Sequence, residues 1–137
     1  MRQPMMLIAL SALGACASPL PPVDPKQAWV DLYTMTPGRV IMADRLDGKR
    51  LEDGRYFQLT PGKHELVVRF DYEIYSGGML TDPRDRTCYL TVRFDDFKAG
   101  ERYRLEARAP VMEPQVLLYD ASRTVLVNEP SDVFCIP

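Results

Sequence analysis

The chain has 137 residues, with 17 Lys+Arg against 19 Asp+Glu and a formal net charge of −2, a length that suits one domain. That balance gives no long-range attraction for nucleic acid, and the sequence offers no polybasic patch for an anionic membrane surface. One His and five Ser leave little material for hydrolytic chemistry, and 12 Pro, well above the usual share of about 5%, argue against long helices.

Chain order begins with Arg2, the apolar run Met5–Leu13 and the small pair Gly14 and Ala15, the three parts of an export signal. A run of 9 apolar residues is too short to cross a hydrocarbon core, which needs about 20 in a helix. The stretch Leu13-Gly14-Ala15-Cys16 resembles the lipobox of bacterial lipoproteins, in which the cysteine becomes the lipidated first residue of the mature chain. The resemblance implies a signal peptide over 1–15, lipidation at Cys16 and anchoring through two or more acyl chains, since one chain holds a protein only marginally. Ala17, where Asp would favour inner-membrane retention, implies the outer membrane by the sorting rule of Gram-negative lipoproteins, with the body facing the periplasm. Ser18–Pro25 then carries 4 Pro in 8 residues. Such a segment is extended and semi-rigid, a tether that could hold the body about 25 Å from the lipid head groups.

From residue 26 onward the dominant period is two. His64, Leu66, Val68, Phe70, Tyr72 and Ile74 fall on one face of a long run, and Glu65, Val67, Arg69, Asp71 and Glu73 on the other, the pattern of a half-buried strand. Cys88, Leu90, Val92 and Phe94 alternate with Tyr89, Thr91, Arg93 and Asp95; Tyr103, Leu105 and Ala107 alternate with Arg104, Glu106 and Arg108. Looser runs lie at Ala28–Thr34, Arg39–Ala43, Arg55–Leu59, Gln115–Tyr119 and Thr124–Val127. Asp47-Gly48 and Asp53-Gly54 suit tight turns with positive φ, and Thr60-Pro61-Gly62-Lys63 suits a type II turn. The expectation is an all-β domain over 26–137, a single antiparallel β-sandwich of about seven to eight strands.

The stretch Val40-Ile-Met-Ala-Asp-Arg-Leu-Asp47-Gly48-Lys49, followed by Arg55-Tyr-Phe-Gln-Leu59-Thr-Pro61-Gly62-Lys-His64-Glu-Leu66-Val-Val68, resembles PEGA-type modules without their Pro-Glu-Gly-Ala stretch. Those are small surface β-sandwich domains with an Asp-Gly-Lys hairpin and a Pro-Gly-x-His strand start. The resemblance implies binding or scaffolding in the envelope and brings no catalytic residues with it.

Export places Cys88 and Cys135 in an oxidising compartment, where an even pair reads as a structural disulfide. His64 is the only imidazole, none of Ser76, Ser122 and Ser131 sits in a Gly-x-Ser-x-Gly turn, and no Cys or further His clusters with it, so a structural role near its turn is expected and a metal site is not. Glu52-Asp53 and Asp95-Asp96 read as solvated turn residues. Tyr72, Tyr75, Arg84 and Arg86, around the pair Gly77 and Gly78, form the candidate binding loop, because Tyr and Arg on a rigid sheet recognise sugars and peptides; the simpler reading is a hairpin connection. The expectation is therefore a non-catalytic outer-membrane lipoprotein without cofactor, touching an envelope protein or glycan. Its rivals are an envelope enzyme acting on glycans through carboxylates brought together by folding, and an accessory subunit of a secretion or polysaccharide-export assembly.

Overall fold

The computed structural model describes residues 18–75, 77 and 82–137. Among these residues ten strands follow one another: β1 (Ala28–Thr34), β2 (Val40–Leu46), β3 (Lys49–Arg50), β4 (Tyr56–Leu59), β5 (Gly62–Ile74), β6 (Arg84–Phe97), β7 (Arg102–Arg108), β8 (Gln115–Tyr119), β9 (Val125–Val127) and β10 (Asp132–Ile136). One sheet has the order β4-β1-β7-β8-β9 and is called sheet A; the other, sheet B, has the order β10-β6-β5-β2-β3.

Alternation in the sequence becomes two-sidedness in space. Leu66, Val68, Phe70 and Tyr72 of β5, with Cys88, Leu90 and Val92 of β6, meet Val30, Phe57, Leu105, Ala107, Val116 and Leu118 of sheet A in one buried cluster. Each large apolar side chain so buried contributes about 1.5–3 kcal/mol. The result is an all-β, sandwich-like fold.

Several details depart from the expectation. Two strands went unread, the two-residue β3 and the C-terminal β10. The β1–β7 pairing is parallel, with Val30 beside Tyr103 and Leu32 beside Leu105. Period-two patterning is blind to strand direction, and these strands are joined by no hairpin that would force them antiparallel. Gly48 has φ 81 after Asp47 at φ 50, the expected hairpin turn. Gly54 serves a different purpose: a Cβ there would stand 3.1 Å from Met42 Cε and 3.3 Å from the Ala43 carbonyl. It is needed for close approach to β2, where its own carbonyl accepts from Ala43 N–H at 2.8 Å. At the start of the described residues the Ser18 carbonyl accepts from Arg55 Nη1 at 2.7 Å.

Two bulges retune the faces. Asp44 is an extra residue in β2 between the pairs Ala43–Val68 and Arg45–Val67. Asp95 and Asp96 together oppose Lys63 between the pairs His64–Phe94 and Gly62–Phe97. The second shift turns Phe97 inward at 5.0 Å from both the Phe94 and Tyr103 rings, edge to face.

Candidate functional site

Cys16 and the 1–15 leader lie outside the described residues, as do Ser76 and 78–81 of the candidate loop. Cys88 and Cys135 are disulfide-bonded, with Cα atoms 4.0 Å apart as direct partners across β6 and β10. The four residues named for the candidate loop differ in burial. Tyr72 is a correction: it is 2% exposed in the core and its hydroxyl donates to the Met112 carbonyl at 3.1 Å. Its place in the β5 alternation, in phase with Leu66, Val68 and Phe70, outweighs its nearness to the loop. Burial pushes that hydroxyl above its ordinary pKa, and Arg86, its cross-strand partner, pulls the other way. Arg86 is half-buried with it, whereas Tyr75 and Arg84 are exposed at the strand ends.

His64 is bound where the Pro-Gly turn delivers it. Its Nδ1 meets Asp47 Oδ2 at 2.5 Å, and its Nε2 lies 2.6 Å from the Thr60 carbonyl and 3.1 Å from the Thr60 hydroxyl. An Asp–His–hydroxyl series invites comparison with a nucleophile chain. The closer carbonyl only accepts, so it takes the Nε2 proton and leaves no lone pair to activate the hydroxyl. Asp47 Oδ1 also accepts from Glu65 N–H at 2.8 Å, so the group latches the β2–β3 hairpin to β5. Burial alone would raise the Asp47 carboxyl; the bonds from Glu65 N–H and His64 outweigh it and hold it below the usual range.

The most elaborate side-chain arrangement lies on the outer face of sheet A. Trp29 stacks on Tyr56 with ring centroids 4.4 Å apart and 9° between planes. Arg102 binds Asp31 bidentately, Nε to Oδ2 at 2.6 Å and Nη2 to Oδ1 at 3.0 Å, and Trp29 Nε1–H donates to the same carboxylate at 3.0 Å. The Arg102 bond holds the Asp31 carboxyl below its ordinary pKa against the opposing effect of burial, with help from Trp29 and from the charge of Arg104. Next along the sheet, the Arg104 guanidinium carbon stands 3.7 Å above the Tyr33 ring centroid. Arg108 Nη2 donates to the Tyr119 hydroxyl at 3.2 Å, and its Nε is 3.7 Å from the Glu106 carboxylate, longer than a hydrogen bond.

Between these side chains lies a groove of about 260 Å³ lined by Tyr33, Met35, Arg104, Glu106, Tyr119 and Arg123. Glu106 is only 7% exposed although it points away from the core. The buried Nε atoms of Arg104 and Arg108 have no hydrogen-bond partner among the described residues. An ordinary solvated sheet face does not bury a carboxylate between guanidiniums and tyrosines. The arrangement presents guanidinium donors, a carboxylate acceptor and two tyrosine rings in one open groove, which suits recognition of a polar ligand. Among the described residues no cluster of His, Cys, Asp or Glu could hold a metal ion.

Sequence reading missed this face because alternation assigns Arg104, Glu106 and Arg108 to solvent. One signal was present: Trp29, the single tryptophan, sits between the inward Ala28 and Val30 and therefore has to be covered on the outside. No protein-family model matches this chain, and no curated protein or solved structure matches it either.

Proposed function

We propose that this chain is an outer-membrane lipoprotein, lipidated at Cys16, whose sandwich is a non-catalytic binding module facing the periplasm. The observation that carries the binding role is the groove on sheet A, where Glu106, 7% exposed, lines the site with Arg104, Arg123, Tyr33 and Tyr119. The lipobox-like Leu13-Gly14-Ala15-Cys16 and the PEGA-like stretch from Val40 to Val68 support the address and the role. Four of the six lining residues, Tyr33, Arg104, Glu106 and Tyr119, sit on paired strands of sheet A, which pre-organises that part of the site.

Two measurements test the reading. Radiolabelled palmitate is expected to enter the wild-type chain in a Gram-negative host and to be absent from Cys16→Ser; label retained by that variant sinks the anchor. Lipidated protein immobilised in detergent is expected to capture envelope material, and Tyr33→Ala/Arg104→Ala to lose it while keeping the wild-type circular dichroism. Equal capture by the folded double variant would move the site elsewhere.

A further inference from the structure

Resting on that reading, we infer that the sheet A groove recognises an acidic sugar, a pyranose ring bearing a carboxylate, within a longer glycan. The first argument is charge. The groove lining holds two guanidiniums, Arg104 and Arg123, against one carboxylate, Glu106. The Arg104 guanidinium carbon stands 3.7 Å over the Tyr33 ring centroid and its buried Nε has no hydrogen-bond partner among the described residues, so no carboxylate of the described chain pairs with this cation where it lines the groove. Arg123 forms no salt bridge among the described residues and sits at the rim with φ 65, a left-handed conformation that an arginine adopts at some cost and that Gly would adopt freely.

The second argument is the acid inside the positive site. A simple anion would be repelled by Glu106. A sugar has hydroxyl groups that donate to such an acceptor while its carboxylate is taken by the arginines. Tyr33, whose ring carries Arg104 on one face, and Tyr119 line the groove with aromatic surface against which the C–H side of a pyranose can pack, and about 260 Å³ suits one ring with its neighbours lying along the open face.

The third argument excludes the main competitor. Peptides commonly bind sheets by adding a strand to an open edge. Here β1, β7 and β8 are interior strands of sheet A, with partners on both sides. The groove therefore provides side-chain contacts only, which fits a hydroxyl-rich ring better than a peptide backbone.

The test is calorimetric titration of the full-length protein in detergent with a galacturonic acid trimer, the methyl-esterified trimer and an acetylated dipeptide with a free carboxylate. The acid trimer is expected to bind and the ester to bind about tenfold more weakly, the loss of a charge-assisted hydrogen bond. Raising the salt is expected to weaken the acid trimer and to leave the ester unchanged. Arg123→Gly relieves the left-handed strain while deleting one cation, so it is expected to fold at least as stably and to lose about tenfold in affinity. Glu106→Gln is expected to tighten binding of the bare carboxylate of the dipeptide. Equal binding of acid and ester, tighter binding of the dipeptide than of the acid trimer, or unchanged affinity in Arg123→Gly each overturns the assignment. Absence of trimer binding, alongside envelope capture that still depends on Tyr33 and Arg104, overturns the sugar assignment and leaves the binding module standing.

Discussion

At Asp31 three donated hydrogen bonds converge on one carboxylate, two from Arg102 and one from Trp29. This is the point where the first strand is tied to the seventh, between residues 71 apart in sequence. Asp31→Asn keeps the shape and removes the charge. Because the Arg102 bond holds the folded carboxyl below the ordinary value of about 3.9, its contribution is complete above that value. It is lost as pH falls through the lower, folded pKa. The pair is partly in water, so the loss is expected to be about 1 kcal/mol or less at pH 7. The gap between wild type and variant is expected to hold down to about pH 4 and to close in stronger acid. Urea titrations followed by the fluorescence of Trp29, the single tryptophan, measure this at both ends of the range. A gap that widens in acid would contradict the sign of the shift.

At the scale of an element, β5 is the strand on which both sheet order and latch depend. It has β6 on one side and β2 on the other, and it carries Phe70 at full burial and His64 at its start. Phe70→Ala is expected to cost about 3–5 kcal/mol, the range for a truncated core Phe. His64→Asn, which keeps a polar group but loses the reach to Asp47, is expected to cost about 1–2 kcal/mol. Chemical denaturation of the two variants decides it, and a reversed order of severity would mean that the latch, not the core, holds this strand. The inward set on β5 was legible in the sequence because one face is packed and the other is not. The register shifts at Asp44 and at Asp95-Asp96 were not legible, because a bulge leaves composition unchanged and only shifts which residues face inward. The face bearing Arg104 and Glu106 was hidden for a different reason: its members come from strands adjacent only after folding, and no local pattern records that adjacency.

For the whole molecule, the disulfide closes a loop between residues separated by 47 in sequence and attaches the last strand to the sandwich. Cys88 is fully buried in phase with Leu90 and Val92, as its parity required. β10 was missed because little of it is buried: Val133, Phe134 and Ile136 are all exposed, and among the described residues the strand pairs only with β6. With so little apolar surface removed from water, the hydrogen bonds of a single edge must offset the cost of ordering five residues. The covalent link supplies the missing restraint. A loop of this length stabilises by about 4 kcal/mol in the chain-entropy model, yet none of that resides in the contacts between the sheets. Cys135→Ser is therefore expected to free β10 while leaving the rest of the sandwich assembled. In hydrogen exchange, amides of 132–136 should lose protection, and the interior of β5 and β7 should keep it. Global stability should fall by about 2–4 kcal/mol. Simultaneous loss of protection in β5 and β7 under native conditions would show that the last strand is part of the cooperative core. Two-sheet packing would then depend on β10, and the division drawn here between a self-sufficient core and a covalently held edge would be wrong.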